Sequence, residues 1–231
     1  MKIFQAVTCW LFVCCLPLLI ITSSIRCEVS AIRLYEYGFD KYQISQATGI
    51  DEPELKKAAQ HLIDYFNLRA ASAQVTVVKK GQKFDLFNER ELIHLQDVRS
   101  LIQLGYWVQR GALALMVICA LVLLLWLKDS WHILVRGLFR GSVATFGLVV
   151  VLALWSIFGF DQFFLLFHWV SFPNEFWMLD PSKDYLIMLF PEGFFYDAAL
   201  FGFGAVLLLA MVVGGITFGV VRSQRTVSTT E

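Results

Sequence analysis

Four uninterrupted apolar stretches constrain this chain more than any other feature of its sequence. They cover residues 3–25, 111–127, 142–160 and 198–221, and none of them contains Asp, Glu, Lys or Arg. A helix needs about 20 apolar residues, within a range of about 17–25, to cross the hydrocarbon core of a bilayer. The sequence therefore predicts four transmembrane helices. The composition agrees, because only 16% of the residues are charged, against about 25% in soluble domains.

The first stretch is expected to remain attached as a signal anchor. Its apolar run is longer than the roughly 7–15 residues of a secretory signal, and no A-x-A cleavage site follows it. The five cysteines do not indicate a disulfide framework, because only Cys27 lies in a segment expected outside the membrane.

Orientation follows from the charges of the short connecting segments. Residues 128–141 carry three basic side chains and one acidic one, whereas residues 161–197 carry six acidic side chains and Lys183 alone. Lys2 precedes the first stretch, and Arg222 and Arg225 follow the last. Because Lys and Arg are retained in cytoplasmic loops, both termini are predicted to be cytoplasmic.

The predicted fold is an all-α membrane protein with a mainly helical extracytoplasmic cap. The cap includes a small β-hairpin, with a Lys80-Gly81 turn, and an amphipathic helix that begins near Pro53. The predicted segments are helix 1 (1–25), the cap (26–105), helix 2 (106–127), a cytoplasmic loop (128–141), helix 3 (142–160), an extracytoplasmic, interfacial aromatic loop (161–197), helix 4 (198–221) and a cytoplasmic tail (222–231).

One stretch of the cap resembles the turn of a DNA-binding helix-turn-helix. It reads Ser-Gln-Ala-Thr-Gly-Ile at residues 45–50. An extracytoplasmic domain meets no chromosome, and the net charge of zero provides no attraction to nucleic acid. A structural helical hairpin is the preferred interpretation.

A charged stripe precedes the second apolar stretch. Asn88 stands three residues before Glu91, which is the spacing of a capping box. On the helix that this cap would start, Arg90, Glu91, His94 and Asp97 share one face. Carboxylates one turn either side of an imidazole fix its tautomer and raise its basicity. The alternative is a solvated face of ion pairs.

A second histidine lies in an apolar, aromatic run. His168 is the one histidine within the almost wholly apolar residues 163–172, just beyond the third stretch. Such a group needs a buried partner, and the simplest one is the backbone or Asp161. Because both His94 and His168 are expected near the outer leaflet, they favour a joint site. His61 and His132 are better explained by packing or by an interfacial position.

The chemistry that these residues suit is metal binding or acid–base acyl transfer. Four side chains would be available as metal ligands: Glu91, His94, Asp97 and His168. The zincin spacing, the Gly-x-Ser-x-Gly elbow and the phosphate-binding P-loop are all absent from the sequence. This leaves histidine as base, acid or nucleophile.

At this point the sequence resembles a family of bacterial integral membrane proteins, the lipoprotein intramolecular transacylases (Lit). The resemblance covers nearly the whole chain. Its most specific parts are residues 87–98, reading Phe-Asn-Glu-Arg-Glu-Leu-Ile-His-Leu-Gln-Asp-Val, and a pattern from Phe167-His168 to Phe194-Phe195. The Tyr-x-x-Gly-Phe start of the cap, at residues 35–39, also matches.

The resemblance implies transfer of an acyl chain within a diacylglyceryl-modified lipoprotein, from the sn-2 ester oxygen to the α-amino group of the N-terminal cysteine. It makes His94 and His168 the catalytic pair. The supporting or substrate-binding residues would be Arg90, Glu91, Asp97, Asn174, Trp177 and Asp180. We expect no cofactor and no metal, lipoproteins and membrane lipid as partners, and a site at the outer leaflet of the bacterial plasma membrane.

Roles within the pair are open at this stage. Glu91 and Asp97 favour His94 as the base, with His168 passing a proton to the leaving glyceryl oxygen. Reversed roles and a covalent acyl-imidazole remain alternatives. Arg90 or Asn174 would polarise the ester carbonyl. Two other classes of protein remain as alternatives. A metal-dependent membrane hydrolase would use the same residues. A non-catalytic membrane interaction protein or small transporter would not use them for catalysis.

Overall fold

The structure, a computed structural model, describes residues 2–126 and 131–227. Within these ranges the chain forms nine helices and one hairpin. The helices are α1 (Lys2–Val29), α2 (Ile32–Lys41), α3 (Ile44–Thr48), α4 (Glu52–Phe66), α5 (Glu89–Trp126), α6 (Trp131–Phe158), α7 (Phe160–Ser171), α8 (Tyr185–Leu189) and α9 (Glu192–Val227), and the strands are β1 (Thr76–Lys79) and β2 (Gln82–Asp85).

Four of these helices, α1, α5, α6 and α9, are long and apolar enough to cross a membrane. This confirms the predicted four-helix membrane fold. Helix α5 has 38 residues and is therefore about 57 Å long at 1.5 Å per residue. A bilayer core is only about 30 Å thick, so the polar first turns of α5, which carry His94, lie outside the spanning segment.

The spanning helices extend beyond the apolar stretches from which they were predicted. Residues 131–141, expected in a cytoplasmic loop, form the first turns of α6, whereas residues 128–130 of that expected loop and residue 127 of the expected helix 2 lie outside the described residues. Helix α9 begins at Glu192 rather than at residue 198. The expected aromatic loop contains α7 and α8. Hydropathy marks where a helix enters lipid, but its hydrogen bonds continue through polar residues such as Arg, a good helix former.

The chain divides into two compact units. Unit 1 comprises Met1–Ile25, Gly105–Leu154 and Phe201–Glu231. Helix α6 packs closely on α1, because a Cβ atom added at Gly137 would lie 2.9 Å from the Phe12 ring and one at Gly141 would lie 2.9 Å from the Leu16 side chain. Many large apolar side chains of unit 1 remain exposed, as expected for a surface covered by lipid.

Unit 2 comprises Arg26–Leu104 and Trp155–Leu200 and has its own apolar core. The predicted amphipathic helix is α4, which buries the expected face into this core at Leu55, Ala58, Ala59, Leu62, Ile63 and Phe66. The predicted hairpin pairs Thr76 with Asp85 and Lys79 with Gln82. Its turn residues Lys80 and Gly81 both have positive φ, 51° and 79°, as a two-residue hairpin turn requires.

The segment that resembles a helix-turn-helix is part of this core. Thr48 is buried, and its hydroxyl donates to the Ile44 carbonyl and accepts from the Ile50 amide. Ile44 and Ile50 are almost completely buried. Gly49 adopts a φ of 69° that ends α3. The packing supports the structural interpretation of this turn.

Candidate active site

The start of helix α5 is fixed by the predicted capping box. The Asn88 side-chain oxygen accepts a 3.0 Å hydrogen bond from the Glu91 amide, and the Glu91 carboxylate accepts a 2.7 Å bond from the Asn88 amide. The second oxygen of Glu91 accepts from the backbone amide of Leu186. Glu91 is only 1% exposed. Its carboxylate therefore holds two backbone amides together and does not hydrogen-bond His94.

A second buried carboxylate, that of Asp184, also accepts hydrogen bonds near the first turn of α5. Asp184 accepts hydrogen bonds from the Asn88 side-chain amide at 2.8 Å and from the Asp180 backbone amide at 2.7 Å. Together, Glu91 and Asp184 attach residues 180–186 to the first turn of α5. Asp184 was missing from the expected site residues. It lies within the pattern of residues 167–195 that resembles Lit, but no local pattern in the sequence indicated its buried role.

Asp180 itself belongs to a local turn. Its carboxylate accepts from the hydroxyl and the amide of Ser182 and forms an ion pair with Lys183. These donors, the Ser182 hydroxyl first, lower the pKa of Asp180 to about 2. No hydrogen bond joins its side chain to either histidine among the described residues. Asp180 shapes the loop rather than the histidine pair.

His168 has one ring nitrogen committed to the backbone. It lies on α7, and its Nδ1 is 2.8 Å from the Phe164 carbonyl oxygen. Because a carbonyl only accepts, Nδ1 carries the proton and Nε2 keeps its lone pair. The backbone, not Asp161, is thus the partner that the apolar setting required. Burial lowers the pKa of His168, and the Phe164 hydrogen bond opposes that shift only in part.

Aromatic rings enclose His168. The Phe164 ring lies 4.4 Å away between centroids and the Trp177 ring 4.9 Å away. Phe172 contacts both histidines, at 5.6 Å from His168 and 5.0 Å from His94. Trp177 was an expected supporting residue. Phe172 and Phe164 were not among the expected supporting residues, because the sequence of an apolar, aromatic run does not show which rings contact His168.

His94, on α5, lies beside His168, on α7. The ring centroids are 6.1 Å apart, at an interplanar angle of 31°. His94 is 7% exposed, and its Nδ1 is buried with no hydrogen-bond partner in the described chain. An unsatisfied buried polar atom is costly, so this nitrogen is available to hydrogen-bond a substrate atom.

The electrostatics of His94 are opposite to the sequence-based expectation. Its pKa is lowered to about 4, first by burial and then by the neighbouring His168, while Asp97 raises it only in part. The expected increase in basicity was therefore wrong in sign, because desolvation of the imidazolium outweighs one nearby carboxylate. At neutral pH both histidines are uncharged.

Asp97 and Arg90 connect α5 to the loop that follows α7. The Asn174 side-chain amide donates to Asp97 at 2.8 Å. The Arg90 guanidinium donates to the Glu175 backbone carbonyl at 2.8 Å. The structure thus joins these expected site residues between α5 and the loop that follows α7.

Metal binding has little support in this geometry. Among the side chains in the described ranges, no group of three or more His, Cys, Asp and Glu residues is arranged to hold a metal ion. Glu91, the first expected ligand, has both oxygens bound to backbone amides. The remaining cap histidine, His61, lies 2.9 Å from the Ser72 carbonyl and stabilises a loop.

Helix α7 presents an apolar surface beside the buried His168. Its exposed residues are Leu165, Leu166, Phe167, Trp169 and Val170. With 12 residues, α7 is about 18 Å long, too short to cross a bilayer core of about 30 Å. An apolar helix of this kind suits the membrane interface.

Four apolar spanning helices and a buried, uncharged histidine pair define an integral membrane protein with a site suited to acid–base chemistry. The chain belongs to the lipoprotein intramolecular transacylase Lit family, whose model matches residues 10–195. Family membership makes it an acyltransferase and confirms the resemblance found in the sequence.

Solved structures show the same fold. The membrane integral lipoprotein intramolecular transacylase Lit from Bacillus cereus superposes with a TM-score of 0.81 at 22% identity, covering 98% of this chain and all 100% of that one. Two histidine variants of the same protein also match. The arginine variant has a TM-score of 0.76 at 21% identity, covering 97% and 95%, and the alanine variant 0.77 at 21%, covering 97% of each chain. No curated protein matches the chain.

Proposed function

We propose that this protein moves the sn-2 acyl chain of a diacylglyceryl-modified lipoprotein to the α-amino group of its N-terminal cysteine, and that His94 and His168 carry the proton transfers. The product is a lyso-form lipoprotein with an N-acyl chain. The observation that carries the proposal is the histidine pair itself. Two buried imidazoles meet from separate segments, and no hydrogen bond joins them in the described chain.

The reaction requires one proton to move and no outside reagent. The α-amine attacks the sn-2 carbonyl carbon, so that a C–N bond forms and the C–O bond to glycerol breaks. The amine loses one proton and the departing glyceryl oxygen gains one. Conversion of an ester to an amide runs downhill, which agrees with the absence of a P-loop in the sequence. Because an α-amino group has a pKa near 8, it is mostly an ammonium ion at neutral pH, and it first releases one further proton, which passes to solvent water, to give the neutral amine that attacks.

His168 is the better base. Its Nδ1 proton is held by the Phe164 carbonyl, so Nε2 presents a lone pair in a fixed direction. This reverses the roles favoured by the sequence, because His94 is the less basic of the two at a pKa of about 4. A neutral His94 still has one N–H donor and one acceptor nitrogen. In this proposal it relays the proton to the glyceryl oxygen.

Arg90 and Asn174 are the candidates for stabilising the oxyanion of the tetrahedral intermediate. Each uses one donor on the loop or on Asp97 and has others left, since a guanidinium has five N–H groups and an amide two. A preorganised donor of this kind contributes about 10²–10³-fold to the rate. A role in oxyanion stabilisation fits the hydrogen bonds by which Arg90 and Asn174 join α5 to the loop that follows α7.

The site is assigned to the outer leaflet. The charges of residues 128–141 and 161–197 indicate cytoplasmic termini, which would put both histidine segments outside. The exposed apolar face of α7 would then lie among acyl chains, next to His168. A substrate whose ester and amine belong to one lipid-anchored molecule would reach both histidines from the membrane.

The test is mass spectrometry of lipoprotein N-termini in a host that makes diacylated lipoproteins. Wild-type protein is expected to convert them to the lyso form with an N-acyl chain. His94→Ala and His168→Ala should each abolish the conversion. His61→Ala is the matched control, since it removes an imidazole that hydrogen-bonds the Ser72 carbonyl of the cap, and it should leave conversion intact. Expression is matched by immunoblot.

The same experiment separates the alternatives. If wild type releases free fatty acid and a chelator stops it, the protein is a metal-dependent hydrolase. If the lipoprotein N-termini are unchanged, a non-catalytic interaction protein is the better description. If both histidine variants keep full conversion, the site is misassigned although the activity stands.

A further inference from the structure

Water competes with the α-amine for the acyl chain at the histidine pair. The proposed transacylation, on which this inference rests, begins at the same sn-2 carbonyl carbon as hydrolysis, and hydrolysis of an ester also runs downhill. A histidine that accepts a proton from an attacking amine can equally accept one from an attacking water. Proton transfer alone therefore does not decide which nucleophile receives the acyl chain.

Aromatic rings shield the pair from water. His94 is 7% exposed and His168 8%. Three rings lie around His168, with centroids 4.4–5.4 Å from its own: Phe164, Phe167 and Trp177. Such rings are largely apolar, and a site that excludes water protects an acyl transfer from hydrolysis.

Phe172 contacts both histidines. Its ring centroid lies 5.0 Å from that of His94 and 5.6 Å from that of His168, and the residue is only 5% exposed. Phe172 directly follows α7, and its amide donates to the His168 carbonyl at 2.9 Å. The backbone therefore holds this ring in the space beside the two imidazoles.

Removal of the Phe172 ring would open a cavity that water can occupy. A cavity lined only by apolar side chains stays dry, because a buried water needs about 2–4 polar partners. This cavity would adjoin two imidazoles that each have a nitrogen to offer. Nδ1 of His94 has no hydrogen-bond partner in the described chain, and Nε2 of His168 keeps its lone pair. A water there would stand beside the base that acts on the nucleophile.

We infer that Phe172 determines the acyl acceptor, because its ring keeps water from the histidine pair and leaves the α-amine as the nucleophile. Without the ring, the oxygen of water attacks the sn-2 carbonyl carbon, and the C–O bond to glycerol breaks. One proton of the water passes through the histidine pair to the glyceryl oxygen, and the other remains with the fatty acid. The products are a fatty acid and a lyso-form lipoprotein with a free α-amino group.

The experiment measures both acyl products of the purified full-length protein in detergent. The substrate is a synthetic diacylglyceryl lipopeptide in isotopically labelled water, so that mass spectrometry detects the water oxygen in any fatty acid released by hydrolysis. Phe172→Ala should raise the ratio of labelled fatty acid to N-acyl lipopeptide about tenfold. Phe172→Leu keeps more of the apolar volume and disturbs folding less, so it should raise the ratio to a smaller extent. The ratio does not depend on how much protein is folded.

Two controls accompany these variants. Phe66→Ala removes another buried ring of unit 2, which is 7% exposed and contacts Tyr65 but neither histidine ring in the described chain. It should leave the product ratio unchanged. A double variant, Phe172→Ala with His168→Ala, should release no labelled fatty acid, because hydrolysis needs the same base.

The outcomes separate this inference from the proposed function. A wild type that forms no N-acyl product refutes the transacylase activity, and the inference with it. If wild type forms that product and neither Phe172 variant releases more labelled fatty acid, the inference alone is overturned, whether or not the variants still N-acylate. An equal rise in Phe66→Ala would also overturn it, since loosened packing at any point would then admit water. So would labelled fatty acid from the double variant, which would place hydrolysis outside this site.

Discussion

Replacement of Glu91 distinguishes a structural carboxylate from a catalytic one. In Glu91→Ala, the Leu186 amide, which is buried, loses its acceptor, and the capping bond to Asn88 is lost as well. A buried unsatisfied amide costs about 1–3 kcal/mol and a lost cap about 1 kcal/mol. The free energy of unfolding should therefore fall by about 2–4 kcal/mol. Glu91→Gln keeps one acceptor and should lose about 1.5–3 kcal/mol.

The assay compares unfolding with turnover. Thermal unfolding in detergent micelles, followed by tryptophan fluorescence, reports stability, and transacylation is measured per folded molecule across pH. Glu89→Gln is the matched control, because it removes an exposed carboxylate from the same helical turn and should cost less than about 1 kcal/mol. The shape of the pH profile should be the same in the wild type and in all three variants.

One result would refute this reasoning about Glu91. If Glu91→Gln unfolds like wild type, yet turnover falls a hundredfold and the pH profile shifts, then the carboxylate takes part in proton transfer. The two backbone bonds would in that case be incidental. A parallel loss of stability and of folded protein, with turnover per folded molecule preserved, supports the structural role.

Two further predictions concern unit 2. Since the pKa of His94 is about 4 when folded and about 6.5 when unfolded, the unfolded chain binds more protons between these values, and stability should fall by up to about 3 kcal/mol as pH drops from 6.5 to 4. Unfolding at several pH values checks this, and His94→Asn should flatten that part of the curve; superimposable curves would contradict it. Gly38→Ala should destabilise by about 1–3 kcal/mol, because its Cβ would lie 2.4 Å from the Phe194 ring. Gly105→Ala, where a Cβ meets nothing within 4 Å, is the control, and equal unfolding temperatures would refute the steric argument.

The role of Gly38 illustrates what a motif contains and what it omits. The sequence showed Tyr35, Gly38 and Phe39 as part of a resemblance but offered no reason for a glycine there. In the folded chain the Phe194 ring occupies the space of the missing side chain, and it packs in turn on Tyr35 and Phe190. Such a contact joins residues more than 150 positions apart. No local pattern reveals it.

The pair of carboxylates beside His94 shows the same limit for electrostatics. Spacing on a helix put Glu91 and Asp97 on the face of His94 and suggested a stronger base. Burial then decided the sign of the pKa shift, and backbone amides took both oxygens of Glu91. The desolvation of His94 depends on everything that surrounds its ring, including His168 and Phe172 from a distant part of the sequence.

The sequence by itself determined the membrane character, the four spanning helices, the capping box at Asn88 and the two histidines. Each of these depends on residues close together in the chain: a bilayer needs a continuous apolar run, and a cap needs a fixed spacing of three. Only the tertiary structure decided that both histidines are uncharged, that His168 keeps its Nε2 free, and that Asp184 and Glu91 hold the two segments together. Those properties arise from burial and from contacts between residues distant in sequence, because a pKa or a buried hydrogen bond depends on what the whole fold removes from water.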